Sequence, residues 1–205
     1  MFSKKDFWFS AITGLITGIL AWQIFDFIPV SWHFRNISYT WLVLIMPIFW
    51  ILGVWLGYFL GKWLNFLNQF GKFVAIGFTN AAIDFGVFYF LVSLTGRALG
   101  VRFTIFKGVS FLVAVTNSFL WNKYWAFEAG KSRGGRQEMI NFFMVNIVAW
   151  AVNVGIGSFV ANGIGPHFNL SDKAWAGLAI VAGSAVALIL SFIGFRLVVF
   201  KTQNH

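Results

Sequence analysis

Ser118-Phe119-Leu120-Trp121-Asn122-Lys123-Tyr124-Trp125-Ala126-Phe127 closes one long apolar run, and Ser191-Phe192-Ile193-Gly194-Phe195-Arg196-Leu197-Val198-Val199-Phe200 closes another. Both read S-F-x-x-x-[K/R]-x-x-x-F and stand 73 residues apart, Ser118 to Ser191. A cation four residues after Phe falls on the same helix face, about one turn further on. Two membrane helices therefore end alike: an aromatic, a fixed positive charge, then another aromatic at the water boundary. Ordinary interfacial anchoring by Lys, Arg, Trp and Tyr would give one such ending. Its repetition points further, to a duplicated helix pair built around an anion of phosphate size.

The runs that lead into these endings decide the class. Of 205 residues, 59% are hydrophobic and only 10% charged. Several apolar runs exceed the roughly 20 residues that cross hydrocarbon. They are continuous, whereas a membrane β-barrel alternates polar and apolar residues. The fold class is all-α: a polytopic membrane protein. The formal charge of +9 reads first as orientation and contact with anionic headgroups. No long basic stripe exists outside the membrane, so nucleic acid is not an expected partner. With no cysteine there is neither a disulfide framework nor thiolate chemistry. Lys4 and Lys5 before an apolar run resemble a signal peptide, but the run is too long and has no clear cleavage site, so a retained first helix is expected.

Six spans are predicted: about Phe7 to Val30, Tyr39 to Leu60, Phe73 to Leu94, Phe103 to Trp121, Ile140 to Ala161, and Ala174 to Phe195. One side then holds Lys4, Lys5, Lys62, Lys72, Lys123, Lys131, Arg133, Arg136, Arg196 and Lys201. The other holds Arg35, Arg97, Arg102, Lys107 and Lys173. This excess predicts both termini in the cytoplasm. Glu128 to Glu138 is the one clearly hydrophilic loop, too short for a soluble catalytic domain. Residues 1–70 form an extra N-terminal pair of spans, and residues 71–205 a four-helix domain made of two copies of a helix pair. Gly14-x-x-x-Gly18 and Gly53-x-x-x-Gly57-x-x-x-Gly61 in the first pair let backbones approach closely, on each other or on another copy of the chain.

Polar side chains in hydrocarbon need a partner or a task. Asp84 stands near the middle of the third span, with Asn80 one turn nearer the cytoplasm. Asn117 lies about two turns inside the Lys123 end, and Asn122 beside it. Asn146 and Asn153 share one face of the fifth span, and Ser184 and Ser191 repeat that spacing on the sixth. These residues define a polar seam opening towards Lys72, Lys123 and Arg196. Trp121, Trp125, Phe127 and Phe200 are the expected interface aromatics. Interhelical hydrogen bonding that only holds the bundle is the simpler reading of any one Asn or Ser.

Other chemistries find no support. Gly130-Lys131-Ser132 imitates the end of a P-loop, but Trp125 stands where the earlier glycine belongs. No D-x-D motif, Ser/His/acid set or metal-ligand spacing occurs; His33, His167 and His205 are scattered. The sequons Asn36-Ile37-Ser38 and Asn169-Leu170-Ser171 are short patterns that chance supplies. No enzyme activity, cofactor or metal is expected.

From about Lys72 to Lys201 the chain resembles the GtrA-like family of small four-helix membrane proteins. Lys72-Phe73-Val74-Ala75-Ile76-Gly77 and Asp84 carry the likeness in the first helix. Asn117-Ser118-Phe119 with Asn122-Lys123-x-Trp125-x-Phe127 carries it in the second, and Phe192-x-x-x-Arg196-x-x-x-Phe200 more weakly in the fourth. The last motif departs, with Leu190 and Val198 where an Asn and a Trp would stand. The first two spans are extra. The resemblance implies a multi-pass protein of the bacterial cytoplasmic membrane, a flippase for a polyprenyl-phosphate-linked sugar such as an undecaprenyl-phosphate sugar, beside a membrane glycosyltransferase. On that reading Lys123, Arg196 and Lys72 capture phosphate at the cytoplasmic face, and the seam accepts sugar hydroxyls. Arg102 and Lys107 receive the phosphate on the far side, and Asp84 is a proton carrier. A scaffold that recruits the glycosyltransferase without transporting is the alternative. An exporter of small cations is a third, disfavoured by basic residues at both helix ends.

Overall fold

The computed structural model describes residues 2–27, 38–96, 101–130, 135–165 and 172–200. Among them there is no strand. Six α-helices follow in order: α1 (Lys4–Phe27), α2 (Leu42–Leu60), α3 (Leu67–Thr95), α4 (Val101–Trp121), α5 (Gly135–Ser158) and α6 (Asp172–Gly194). Among the described residues, five helical segments are long and apolar enough to cross a membrane. The chain is a polytopic helical membrane protein. Val30, Arg35, Arg97, Lys131, Arg133, Lys201 and most of both sequons lie outside the described residues.

The helices stop and start for local reasons. Ser3 and Asp6 open α1 as a reciprocal cap: the Asp6 amide donates to Ser3 Oγ (3.1 Å), and the Ser3 amide to Asp6 Oδ2 (3.0 Å). Gly96 ends α3 in the left-handed conformation (φ 63°), its amide donating to the Val92 carbonyl. Helix α3 begins at Leu67, six residues before the predicted Phe73, because its first turns are held within the protein; the Lys72 charge did not mark a water boundary.

Two compact units form, Met1–Glu128 and Ala129–His205. Helices α1, α2, α3 and α4 belong to the first unit, α5 and α6 to the second.

In the first unit, glycines set the helix approach. A Cβ on Gly14 would stand 2.5 Å from Pro47 Cα, and one on Gly18 2.5 Å from the Leu42 carbonyl oxygen. The α1 ladder therefore packs on α2 of the same chain. Gly57 meets Gly71 of α3 (3.2 Å), whereas Gly53 has open space. Buried hydroxyls then tie three helices. Thr17 Oγ1 lies 3.0 Å from Thr79 Oγ1, and the Trp50 indole donates to Thr79 Oγ1 at 3.1 Å. Thr79→Val removes this junction while keeping the shape. It should lower stability by about 1–2 kcal/mol, and Thr17→Val should cost little more in that background, measured by denaturant titration in mixed micelles.

The two sequence repeats prove to be structural repeats. Helix α4 widens into a π turn over Asn122–Ala126, and α6 into one over Phe195–Val199. The Phe127 amide closes the first on the Asn122 carbonyl (2.9 Å), and the Phe200 amide closes the second on the Phe195 carbonyl (2.7 Å). Each wide turn swings its final Phe back onto the first helix of its pair. Phe127 lies 6.5 Å from Phe73, and Phe200 6.2 Å from Phe142. Trp125, Phe127 and Phe200 are buried. These three rings, expected as interface aromatics, pack within the protein. In the second unit, Gly194 of α6 seats against Val145, and Gly183 against the Asn153 backbone of α5.

Candidate functional site

Helix α3 of the first unit places Asp84 opposite α4. The Lys107 ammonium contacts Asp84 Oδ2, and Ser110 Oγ donates to Asp84 Oδ1 at 2.6 Å. Lys107 also lies over the Phe85 ring, 5.6 Å from its centroid. Both oxygens of Asp84 therefore have partners. Lys107, expected to act apart from it, is its counter-ion. The pair is not sealed, the side chains being 44% (Lys107) and 22% (Asp84) exposed. Ser110 is fully buried.

From this ion pair a polar line runs down both helices. The Asp84–Ser110 and Phe73–Phe127 contacts fix an antiparallel register, with Asn80 and Asn117 between them. Asn117 Oδ1 accepts from the Trp121 indole (3.1 Å), and Asn122 Nδ2 donates to the Ser118 carbonyl (2.8 Å). Asn80 Oδ1, Asn117 Nδ2 and Asn122 Oδ1 are buried with no hydrogen-bond partner. Leaving such a group unmet costs about 1–3 kcal/mol. Lys123 is buried at the end of the line, its ammonium over the Phe119 ring at 5.7 Å, as the four-residue spacing predicts.

The second unit repeats the layout with Asn153 in place of Asp84. Asp84 stands 11 residues after Phe73, and Asn153 stands 11 after Phe142. Asn153 Nδ2 reaches Ser184 Oγ at 3.4 Å, where Asp84 has Ser110. Asn146 Nδ2 turns onto the Phe142 carbonyl of its own helix (2.8 Å). Ser191 and Arg196 are half-buried near the end of α6. The side chain of Arg102 lies outside the described residues.

Lys72 is engaged elsewhere. Its ammonium is 2.8 Å from Asp6 Oδ1 and 3.2 Å from Glu128 Oε1, and the side chains of Lys72 and Asp6 are each 3% exposed. The Tyr58 hydroxyl donates to Asp6 Oδ2 (3.0 Å), and the Trp125 indole to Asp6 Oδ1 (3.1 Å). Sequence reasoning missed Asp6, Tyr58, Glu128 and Ser110. The one signal for Asp6 was its rarity, since the chain has only six acidic residues.

Residues 72–200 match the family model described as GtrA/DPMS, transmembrane domain. The chain is 32% identical over 83 residues to a Bacillus subtilis (strain 168) protein described as "Uncharacterized membrane protein YngA". The match covers 40% of this chain and 52% of that protein, so the chain spans about half the length of this relative. No solved structure matches it.

Proposed function

The chain belongs to the GtrA/DPMS transmembrane family, and we propose that it carries a polyprenyl-phosphate-linked monosaccharide across the bacterial cytoplasmic membrane, for polysaccharide or lipid glycosylation at the cell surface. Membership supports a role in polyprenyl-phosphate-sugar processes. The observation that carries the finer reading is the run of unmet buried amides on α3 and α4. A sugar bears hydroxyls that both donate and accept, and so can satisfy Asn80, Asn117 and Asn122 in turn. Lys123 and Arg196 each stand at the end of a repeat, where charge-assisted bonds to a phosphate are strong. The hydrocarbon tail stays in the bilayer, and both termini lie in the cytoplasm. The protein acts as a carrier and not as a catalyst; a membrane glycosyltransferase makes or consumes its cargo.

Purified protein in liposomes loaded with a labelled polyprenyl-phosphate monosaccharide tests this. Wild type should speed appearance of label in the opposite leaflet. Asn117→Leu, which meets no hydroxyl, should slow it by about tenfold, the cost of one lost hydrogen bond. Lys123→Ala with Arg196→Ala should abolish it. No movement with wild type, together with co-purification of a glycosyltransferase, would replace transport with recruitment.

A further inference from the structure

The Asp6 carboxylate is gripped more heavily than a helix cap requires. Five donors converge on it: the Ser3 amide and hydroxyl, Tyr58 OH, Lys72 Nζ and Trp125 Nε1. The last three come from α2, α3 and the π turn after α4. They form a cradle of one ammonium, one phenol and one indole, all donors. That set suits an oxyanion, and charge-assisted bonds from such donors are the strong ones.

The repeat supplies a second argument. Aligning Phe73 with Phe142, and Phe127 with Phe200, puts Asn141 where Lys72 stands and Val198 where Trp125 stands. Asn141 Nδ2 reaches the Val198 carbonyl at 3.5 Å, so that end of the second pair needs no anion. Only the first pair has the cation and the indole. Glu128, just after the pair's own π turn, also meets Lys72 at 3.2 Å, but the carboxylate that meets the cation and the indole together comes from outside the pair, from the first turn of α1. That turn is tethered to the same π turn by Lys5, whose ammonium donates to the Tyr124 carbonyl at 2.9 Å.

We infer that Tyr58, Lys72 and Trp125 form an oxyanion-binding site that the chain fills with its own Asp6, and that a phosphate group takes the same three donors when Asp6 is withdrawn. The start of α1 is thus a tethered plug. This stands apart from the transport reading, because the cradle and the Asp84 line use different side chains.

Asp6→Ala tests it by emptying the cradle while Lys72 keeps Glu128. The purified variant is melted in detergent with and without inorganic phosphate, and in vesicles of phosphatidylcholine with and without phosphatidic acid. The first arm reads free phosphate and the second a lipid headgroup. Asp6→Ala should gain about 5 °C from at least one source at saturation, wild type should gain none, and Asp6→Ala/Lys72→Met should lose the gain. A folded Asp6→Ala that answers neither source, or a wild type that answers equally, overturns the site. Should Asp6→Ala not fold, Asp6→Ser, whose shorter side chain also vacates the cradle, is read in the same way. Failure of both to fold makes Asp6 a fixed structural ion and also overturns the plug.

Discussion

Lys72→Met should destabilise the protein by about 3–5 kcal/mol, because it leaves Asp6 buried and negative with no counter-charge. Asp6 and Lys72 are among the least exposed polar residues described, at 2% each. The Tyr58 hydroxyl and Trp125 indole still donate to Asp6 in that variant, but neutral donors do not offset a full buried charge. The partner experiment separates charge from contact. Asp6→Asn/Lys72→Met removes both charges and keeps the volumes, and should recover to within about 1 kcal/mol of wild type. Denaturant titration of the two variants in mixed micelles checks this. A single variant no weaker than the double would show the charges to be uncoupled.

That cluster marks where the sequence could and could not be read. The twin endings were legible because composition and spacing carried them: two apolar runs, each closed by Phe, a cation and Phe. Their duplication appears again as two π turns with the same closing bond. The turns themselves were not legible, since one extra residue in a helical turn changes no periodicity that a short motif can reveal. Their consequence was misread for the same reason. At the end of an apolar run, a ring that anchors in the interface and a ring that folds back onto its neighbour look identical in sequence. Trp125, Phe127 and Phe200 do the second.

Pairing across distance was the other blind spot. Lys72 and Asp6 are 66 positions apart, and Asp84 and Lys107 belong to different helices. A rule that sorts charges by loop assigns each to a side of the membrane and never to each other. The glycine ladders were half legible. That Gly14 and Gly18 allow close approach was readable, but their partner is Pro47 and Leu42 of α2, not the glycines of the second ladder. Asp84 was found by depth alone, as an acidic residue in an apolar run. Its cation was also identified, but given a separate task.

The Asp84–Lys107 pair should prove necessary for transport in a way that stability does not explain. Asp84→Asn and Lys107→Met each leave one unpaired charge among apolar helices, at a cost of up to about 3 kcal/mol. Partial exposure of both side chains, and the Ser110 hydroxyl still on Asp84, hold the cost below that of the sealed Asp6 pair. Asp84→Asn/Lys107→Met removes both charges and should regain most of the stability. Translocation should behave differently. If cargo exchanges with the ion pair as it passes, each single variant and the double variant fall by more than tenfold, because the neutral double offers neither a cation for phosphate nor an anion for hydroxyls. The second repeat already shows a neutral version of this contact, Asn153 on Ser184, in a helix pair that packs without it. The stability and transport of the four proteins, measured side by side, therefore decide the matter. A double variant as stable and as fast as wild type would make the ion pair a packing element. One that is stable but inactive would assign it to the path.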